Sequence, residues 1–215
     1  LMDILPDKSV GVIEEDLERN IVKICKPVGV IGALSPSTNP EATPVIKSIN
    51  AVKGRNAIVV APHPRAKVIN MTIVEKMRGA LEKMRAPADL VQTMAQPSLG
   101  KTEALMKQCD LILATGGPGM VKAAYSSGTP ALGVGAGNAV ITVDETADLL
   151  DTAEKIRISK TLDLAASCSA DNSVIVLESV YDELLSNLIA EGGYVASPAE
   201  ADKIEAVLWH EGALN

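Results

Sequence analysis

Cys168 stands among small residues, in Ala165-Ala166-Ser167-Cys168-Ser169-Ala170, between a helix-patterned stretch and the apolar run 172–177. A thiol does nucleophilic chemistry only as a thiolate that a substrate can reach, and small side chains on both sides leave room for that approach. A free cysteine is as readily a small buried hydrophobe, so the local sequence leaves both readings open. Asp171 follows three residues later; a carboxylate that near would raise the thiol pKa, so its expected role is to start the strand. Other chemistry-bearing types are sparse. His63 and His210 are the two imidazoles, and Cys25, Cys109 and Cys168 are widely spaced without a CxxC, so no metal set is expected. His210 is read as a surface residue.

The 215 residues are 47% hydrophobic but 2% aromatic, with no Phe, so the core must be built from Val, Ile, Leu, Ala and Met. That composition also argues against a base-stacking surface. A net charge of −7 and a pI near 4.9 argue against nucleic acid and against a polybasic membrane patch, which leaves small metabolites as partners. No apolar run approaches the ~18 residues that span a bilayer, and the first residues lack a basic and then apolar leader. A cytoplasmic protein with free thiols is the expectation. Both ends read as cut, so the chain is expected to be a piece of a longer protein, with 1–27 as a connector or edge segment.

From Pro27 onward strands and helices alternate. Strands are expected at 28–34, 57–61, 90–94, 110–114, 131–134 and 138–144, and helices at about 41–52, 65–84, 99–108 and 145–159, with a glycine-rich turn at 116–119 leading to a short helix through Tyr125. In the second helix Met71, Val74, Met77, Leu81 and Met84 recur every three or four residues, which makes one apolar face for a sheet. This run of βα units predicts an α/β fold: a Rossmann-like parallel sheet with helices on both faces over 28–160. Residues 161–215, with a strand at 172–177 and helices at 181–190 and 198–209, are expected to begin a second α/β domain, the catalytic one, carrying Cys168. Ligands collect at the carboxyl ends of such strands, which singles out loops 35–40, 62–67 and 115–120. Gly116-Gly117-Pro118-Gly119 either presents backbone N–H groups to a dinucleotide or is a tight turn that needs positive φ; a GxGxxG is absent.

Several segments together resemble the CoA-acylating branch of the aldehyde dehydrogenase superfamily, including the aldehyde dehydrogenase half of bifunctional aldehyde-alcohol dehydrogenases. They are Ser35-Pro36-Ser37-Thr38-Asn39-Pro40, Ala61-Pro62-His63-Pro64-Arg65-Ala66-Lys67, the stretch from Ala114-Thr115-Gly116-Gly117 to Ser127-Gly128, and Gly133-Val134-Gly135-Ala136-Gly137-Asn138. Ser159-Lys160-Thr161 and Cys168 fit the nucleophile segment, whereas Leu164-Ala165-Ala166-Ser167 departs from the Asn-Gly-rich approach common there. The resemblance implies the aldehyde dehydrogenase fold, NAD or NADP as cofactor, coenzyme A as co-substrate, a small aldehyde as substrate, and a homo-oligomer when full length. It assigns Cys168 and Asn39 to catalysis, and Leu34, Ser35, Pro36, Ser37, Thr38, His63, Pro64, Arg65, Gly116, Gly117, Gly133 and Gly135 to the cofactor.

The reaction so implied begins with Cys168 attacking the aldehyde, and the resulting oxyanion needs donors where charge develops. The resemblance supplies the Asn39 amide and the Cys168 backbone N–H. Asn39 also suits a helix N-cap before Pro40 at the first helical position. His63 either touches the cofactor or packs between Pro62 and Pro64. Arg65 and Lys67 do not decide between NAD and NADP. Members of the superfamily that hydrolyse the thioester carry a glutamate base before a Leu-Gly-Gly stretch; the matching residue here is Ala131, so a thiol such as coenzyme A is the expected acceptor. The alternatives are a non-catalytic nucleotide- or CoA-binding domain and a hydrolytic aldehyde dehydrogenase.

Overall fold

The computed structural model describes residues 4–210, 213 and 214, with side chains through 209; the opening three residues and the side chain of His210 lie outside the described residues. The chain forms two compact units, Leu1–Ala136 and Gly137–Asn215.

The first unit opens with an antiparallel hairpin, β1 (Gly11–Asp16) and β2 (Ile21–Cys25). Its turn is held by the Asp16 carboxylate, which accepts from the backbone N–H groups of Glu18 and Arg19. The segment expected as a connector or edge segment contains a strand pair of its own. The main body follows as β3 (Val30–Ser35), α1 (Ala42–Lys53), β4 (Ala57–Pro62), α2 (Lys67–Lys83), β5 (Val91–Thr93), α3 (Leu99–Gln108), β6 (Leu111–Thr115), α4 (Pro118–Tyr125) and β7 (Ala131–Val134). The five strands after the hairpin form one sheet in the order β5-β4-β3-β6-β7, every neighbouring pair parallel. β3 is the middle strand, and all of it after Val30 is buried, as a continuous apolar run covered on both faces requires.

Alternation along the strands divides the core in two. Ile31, Ala33, Ile58 and Val60 face Ala51 of α1 and Val74 of α2, while Leu34, Ala61, Ile112 and Ala114 pack with Met106 of α3 and Ala124 of α4. Gly32 lets α3 approach on that second side, since a Cβ there would stand 2.8 Å from the Cys109 sulfur. The Met stripe of α2 is core only in part: Met77 and Leu81 pack beside Val74, but Met84 is 80% exposed because it is the C-cap residue, where the helix has already left the sheet.

The second unit comprises β8 (Ala139–Val143), α5 (Leu149–Thr161), β9 (Asp171–Val176), α6 (Glu178–Ala190) and α7 (Pro198–Leu208). β8 and β9 pair in parallel with α5 as their crossover, around Val143, Leu149, Ala153 and Leu184. A boundary near 160 would cut α5 and leave β8 with the first sheet. Instead β8 bonds to β9, and the compact units divide between Ala136 and Gly137. Among the described residues no helix is long and apolar enough to cross a membrane.

Candidate active site

From β3 the chain crosses through α1 to β4 on one face of the sheet, and from β6 it crosses through α4 to β7 on the other. Loops leaving these two adjacent strands therefore diverge, and a crevice opens at their carboxyl ends. A cleft of about 280 Å³ lies there, built from the ends of β3, β4 and β6, the loops that follow them, and the segment from Pro97 into α3. Leu34, Ser35, Pro36, His63, Pro64, Gly116 and Gly117 line it, as the sequence suggests. Ser37, Thr38, Arg65, Gly133 and Gly135 do not. The fourth wall, Pro97, Ser98, Leu99 and Thr102, was not among the sequence candidates. Its signal was present: Ser98 precedes a helix, caps it by accepting from the Lys101 N–H, and follows a strand of the same parallel sheet.

Backbone bonds tie the loops together. The His63 N–H donates to the Ser35 carbonyl at 3.0 Å, joining the edges of β3 and β4. His63 Nδ1 accepts from the Arg65 N–H, so the ring caps the turn Pro64–Ala66, and the residue lines the cleft. Gly116 and Gly117 do not take positive φ, and a Cβ on Gly117 would meet nothing within 4 Å. The tight-turn explanation therefore fails. What the missing side chain provides is open space at the N-terminus of α4, where the Gly116 N–H bonds to the Val134 carbonyl, the Met120 N–H bonds to the Gly117 carbonyl and Pro118 has none, which leaves the N–H groups of Gly117 and Gly119 to face an anion. That opening lies at the switch point, where sheets of this kind bind nucleotides.

Gly133 has a packing role. Its Cβ would stand 2.7 Å from Val121 and 2.8 Å from the Tyr125 ring, and its N–H donates to the Tyr125 hydroxyl at 2.9 Å. Gly135 follows the same strand, beside Val121. Ala131 lies opposite Ile112 at the amino end of β7 and packs on the core; the residue level with Thr115 at the carboxyl edge is Val134. The register moves the position at which a base would face the cleft, but not the argument, since no acid or histidine occurs from 131 through 143.

Asn39 is half-buried in the loop between β3 and α1. Its carbonyl accepts from the Thr43 N–H at 3.2 Å, but its side chain has no hydrogen-bond partner among the described residues, and the N-cap position falls at Glu41. The amide is therefore not used as a cap. Beneath this loop Lys47 of α1 donates to the carbonyls of Leu34 and Leu113, each at 2.8 Å, which pins the ends of β3 and β6 beside the crevice. Burial lowers its pKa to about 8.

In the second unit Cys168 is exposed, whereas Cys109 is buried and Cys25 half-buried. Burial also pushes the Cys109 thiol up, away from thiolate chemistry. The Cys168 segment begins with a turn at Leu162–Ala165, where Asp163, Leu164 and Ala165 all have positive φ. It ends where Asp171 starts β9, its N–H donating to the Ser159 hydroxyl at 3.1 Å. Lys160 donates to Asn172, Asn172 to Asn138, and Asn138 to Ser173, which fastens the end of α5 to the start of β9 and fixes both ends of the cysteine loop. Asn39 belongs to the first unit and Cys168 to the second.

An α/β protein with a doubly wound parallel sheet and a switch-point cleft, followed by a unit presenting an exposed thiol, is the class these features define. The chain belongs to the aldehyde dehydrogenase family, whose profile matches residues 6–197. It is 51% identical over 213 residues to a sulfoacetaldehyde dehydrogenase of an Acholeplasma species, covering 99% of this chain and 44% of that protein. The crystal structure of an acetylating aldehyde dehydrogenase from Geobacillus thermoglucosidasius superposes with a TM-score of 0.91 at 39% identity, covering 100% of this chain and 48% of that one. A propionaldehyde dehydrogenase of Rhodopseudomonas palustris, solved with bound CoA and an acylated cysteine, matches with a TM-score of 0.81 at 36% identity over 88% of this chain and 44% of its own. The chain thus spans somewhat under half the length of these relatives.

Proposed function

We propose that this chain is the cofactor-binding part and the beginning of the catalytic part of an acylating aldehyde dehydrogenase, which converts a short aldehyde to its acyl-CoA. The observation that carries the reading is Cys168, the exposed one of three thiols, in a chain related over 88% of its length to an enzyme solved with CoA and an acylated cysteine. In this reading NAD or NADP, when bound, takes the hydride of the aldehyde. Leu34, Ser35, Pro36, His63, Pro64, Gly116 and Gly117 would hold it. Ser37, Thr38 and Arg65 would act on the loops around the cleft.

Cys168 as thiolate forms a bond to the aldehyde carbon, and the carbonyl pair moves onto oxygen. The family resemblance assigns the Asn39 amide and the Cys168 backbone N–H as donors to that oxyanion, and the amide has no other hydrogen-bond partner among the described residues, which supports its part of the assignment. Once the carbon is oxidised to the thioester, the sulfur of coenzyme A attacks it, the bond to Cys168 breaks, and the thiolate is restored. With no acid or histidine over 131–143 to activate water there, thiolysis is favoured over hydrolysis. We place the enzyme in the cytoplasm, as a homo-oligomer when full length; Val12, Ile21, Val22 and Ile24 of the hairpin, each at least 43% exposed, support a partner surface.

The test incubates the full-length protein with a short aldehyde, NAD or NADP, and coenzyme A while the reduced cofactor is followed by absorbance. A CoA-dependent signal that disappears in Cys168→Ser is expected. Cofactor reduction indifferent to coenzyme A, or unchanged by the substitution, overturns the reading.

A further inference from the structure

Asn70 of α2 is completely buried, yet its side-chain oxygen has no partner among the described residues. A buried amide that leaves its acceptor unpaired costs free energy that an apolar side chain of similar size would not. Its other end shows what it does. Nδ2 donates to the Pro40 carbonyl at 2.8 Å and, more weakly, to the Ser35 hydroxyl at 3.4 Å. Those two residues bracket the loop that carries Asn39.

The sequence explains why Pro40 needs an outside donor. In the first turn of α1 the Asn39 carbonyl accepts from Thr43, four residues on. The Pro40 carbonyl should accept from residue 44 in the same way, but residue 44 is proline and has no N–H. Asn70 takes the place of the missing helical donor, and in doing so fixes the residue next to Asn39. Among the described residues no other polar side chain bonds to this loop from outside it.

We propose that Asn70 is the positioning residue for the Asn39 amide, acting through the Pro40 carbonyl and never touching the reacting atoms. The inference rests on the reading of Asn39 as an oxyanion donor. It also specifies a compensation. Leucine at 70 removes the donor and the unpaired acceptor together, and alanine at 44 gives the Pro40 carbonyl a helical N–H of its own.

The test compares the full-length wild type, Asn70→Leu, and the double variant Asn70→Leu with Pro44→Ala. Steady-state rates with aldehyde and coenzyme A, calorimetric binding of the nucleotide and thermal unfolding are measured on each. Misplacement of a reacting group by about 1 Å costs on the order of 10²-fold, so kcat of Asn70→Leu should fall at least about tenfold, with KM and Kd for the nucleotide little changed. Pro44→Ala should then restore much of the lost kcat. Unchanged kcat per folded enzyme in Asn70→Leu overturns the proposal, as does a loss confined to nucleotide KM or a fall that Pro44→Ala leaves untouched. Failure of both variants to fold also overturns it, since Asn70 is then a packing residue. A wild type without CoA-dependent turnover sinks the functional reading itself, and this inference with it.

Discussion

Lys47 shows how one side chain meets two demands at the crevice. It must reach carbonyls at the ends of β3 and β6 from α1, which takes its amine out of water with no carboxylate beside it. Desolvation disfavours the charged form, and a neutral amine still has two N–H groups for the two carbonyls. The consequence for stability has a definite sign. The folded pKa, about 8, lies below the ordinary 10.5, so between these values the unfolded chain binds the extra proton, and stability from this group rises with pH. At 1.36 kcal/mol per unit the rise is of order 3 kcal/mol across the window. Below pH 8 both states are charged and the contribution is flat. Denaturant unfolding of wild type and Lys47→Met at pH 7.5 and at pH 10 checks this, taking the difference between proteins so that other titrating groups cancel. Wild type should gain on the variant with pH; an unchanged difference would show that the amine is solvated.

At the scale of elements, β7 and α4 illustrate a glycine whose packing against a helix competes with the cofactor role that the resemblance implies. Gly133 lies in a motif that resembles a cofactor loop, yet it sits on a strand with Val121 and Tyr125 of α4 against it. Adding a methyl group should overpack that contact and disturb the bond to the Tyr125 hydroxyl, for which about 1–3 kcal/mol is the usual loss. Gly133→Ala should therefore lower the unfolding midpoint while nucleotide affinity stays within about twofold; a selective loss of affinity would return Gly133 to the binding site. The alternation of βα units was legible because buried parallel strands are written as unbroken apolar runs, and β3, β4 and β6 are of that kind. So were the loops at 35, 63 and 116, because topology alone places them at one edge. The loop at 97 was missed although the same rule covers it. What periodicity cannot supply is pairing. Nothing in the run at 139–143 says that it joins β9 and not β7, and nothing around Asn70 announces a bond to a carbonyl thirty residues earlier.

For the whole molecule, the distribution of core and cleft over the two units yields a prediction of its own. The five-stranded sheet closes at Val134, and the two clusters that cover its faces draw every residue from the first unit. All the residues lining the cleft also lie between Leu34 and Met120. The second unit has its own core around Val143 and Leu184, and holds the exposed thiol. If the cleft is the cofactor site, affinity for the nucleotide belongs to residues 1–136 and acyl transfer needs the remainder. Residues 1–136 produced alone should fold cooperatively and bind NAD or NADP, with a Kd within about tenfold of the full-length protein, or ~1.4 kcal/mol. They should give no CoA-dependent turnover. Circular dichroism on heating and calorimetric titration decide the matter. A folded unit that has lost the nucleotide would mean that the second unit contributes to the site. A unit that does not fold would mean that the boundary between Ala136 and Gly137 divides contacts but not stability.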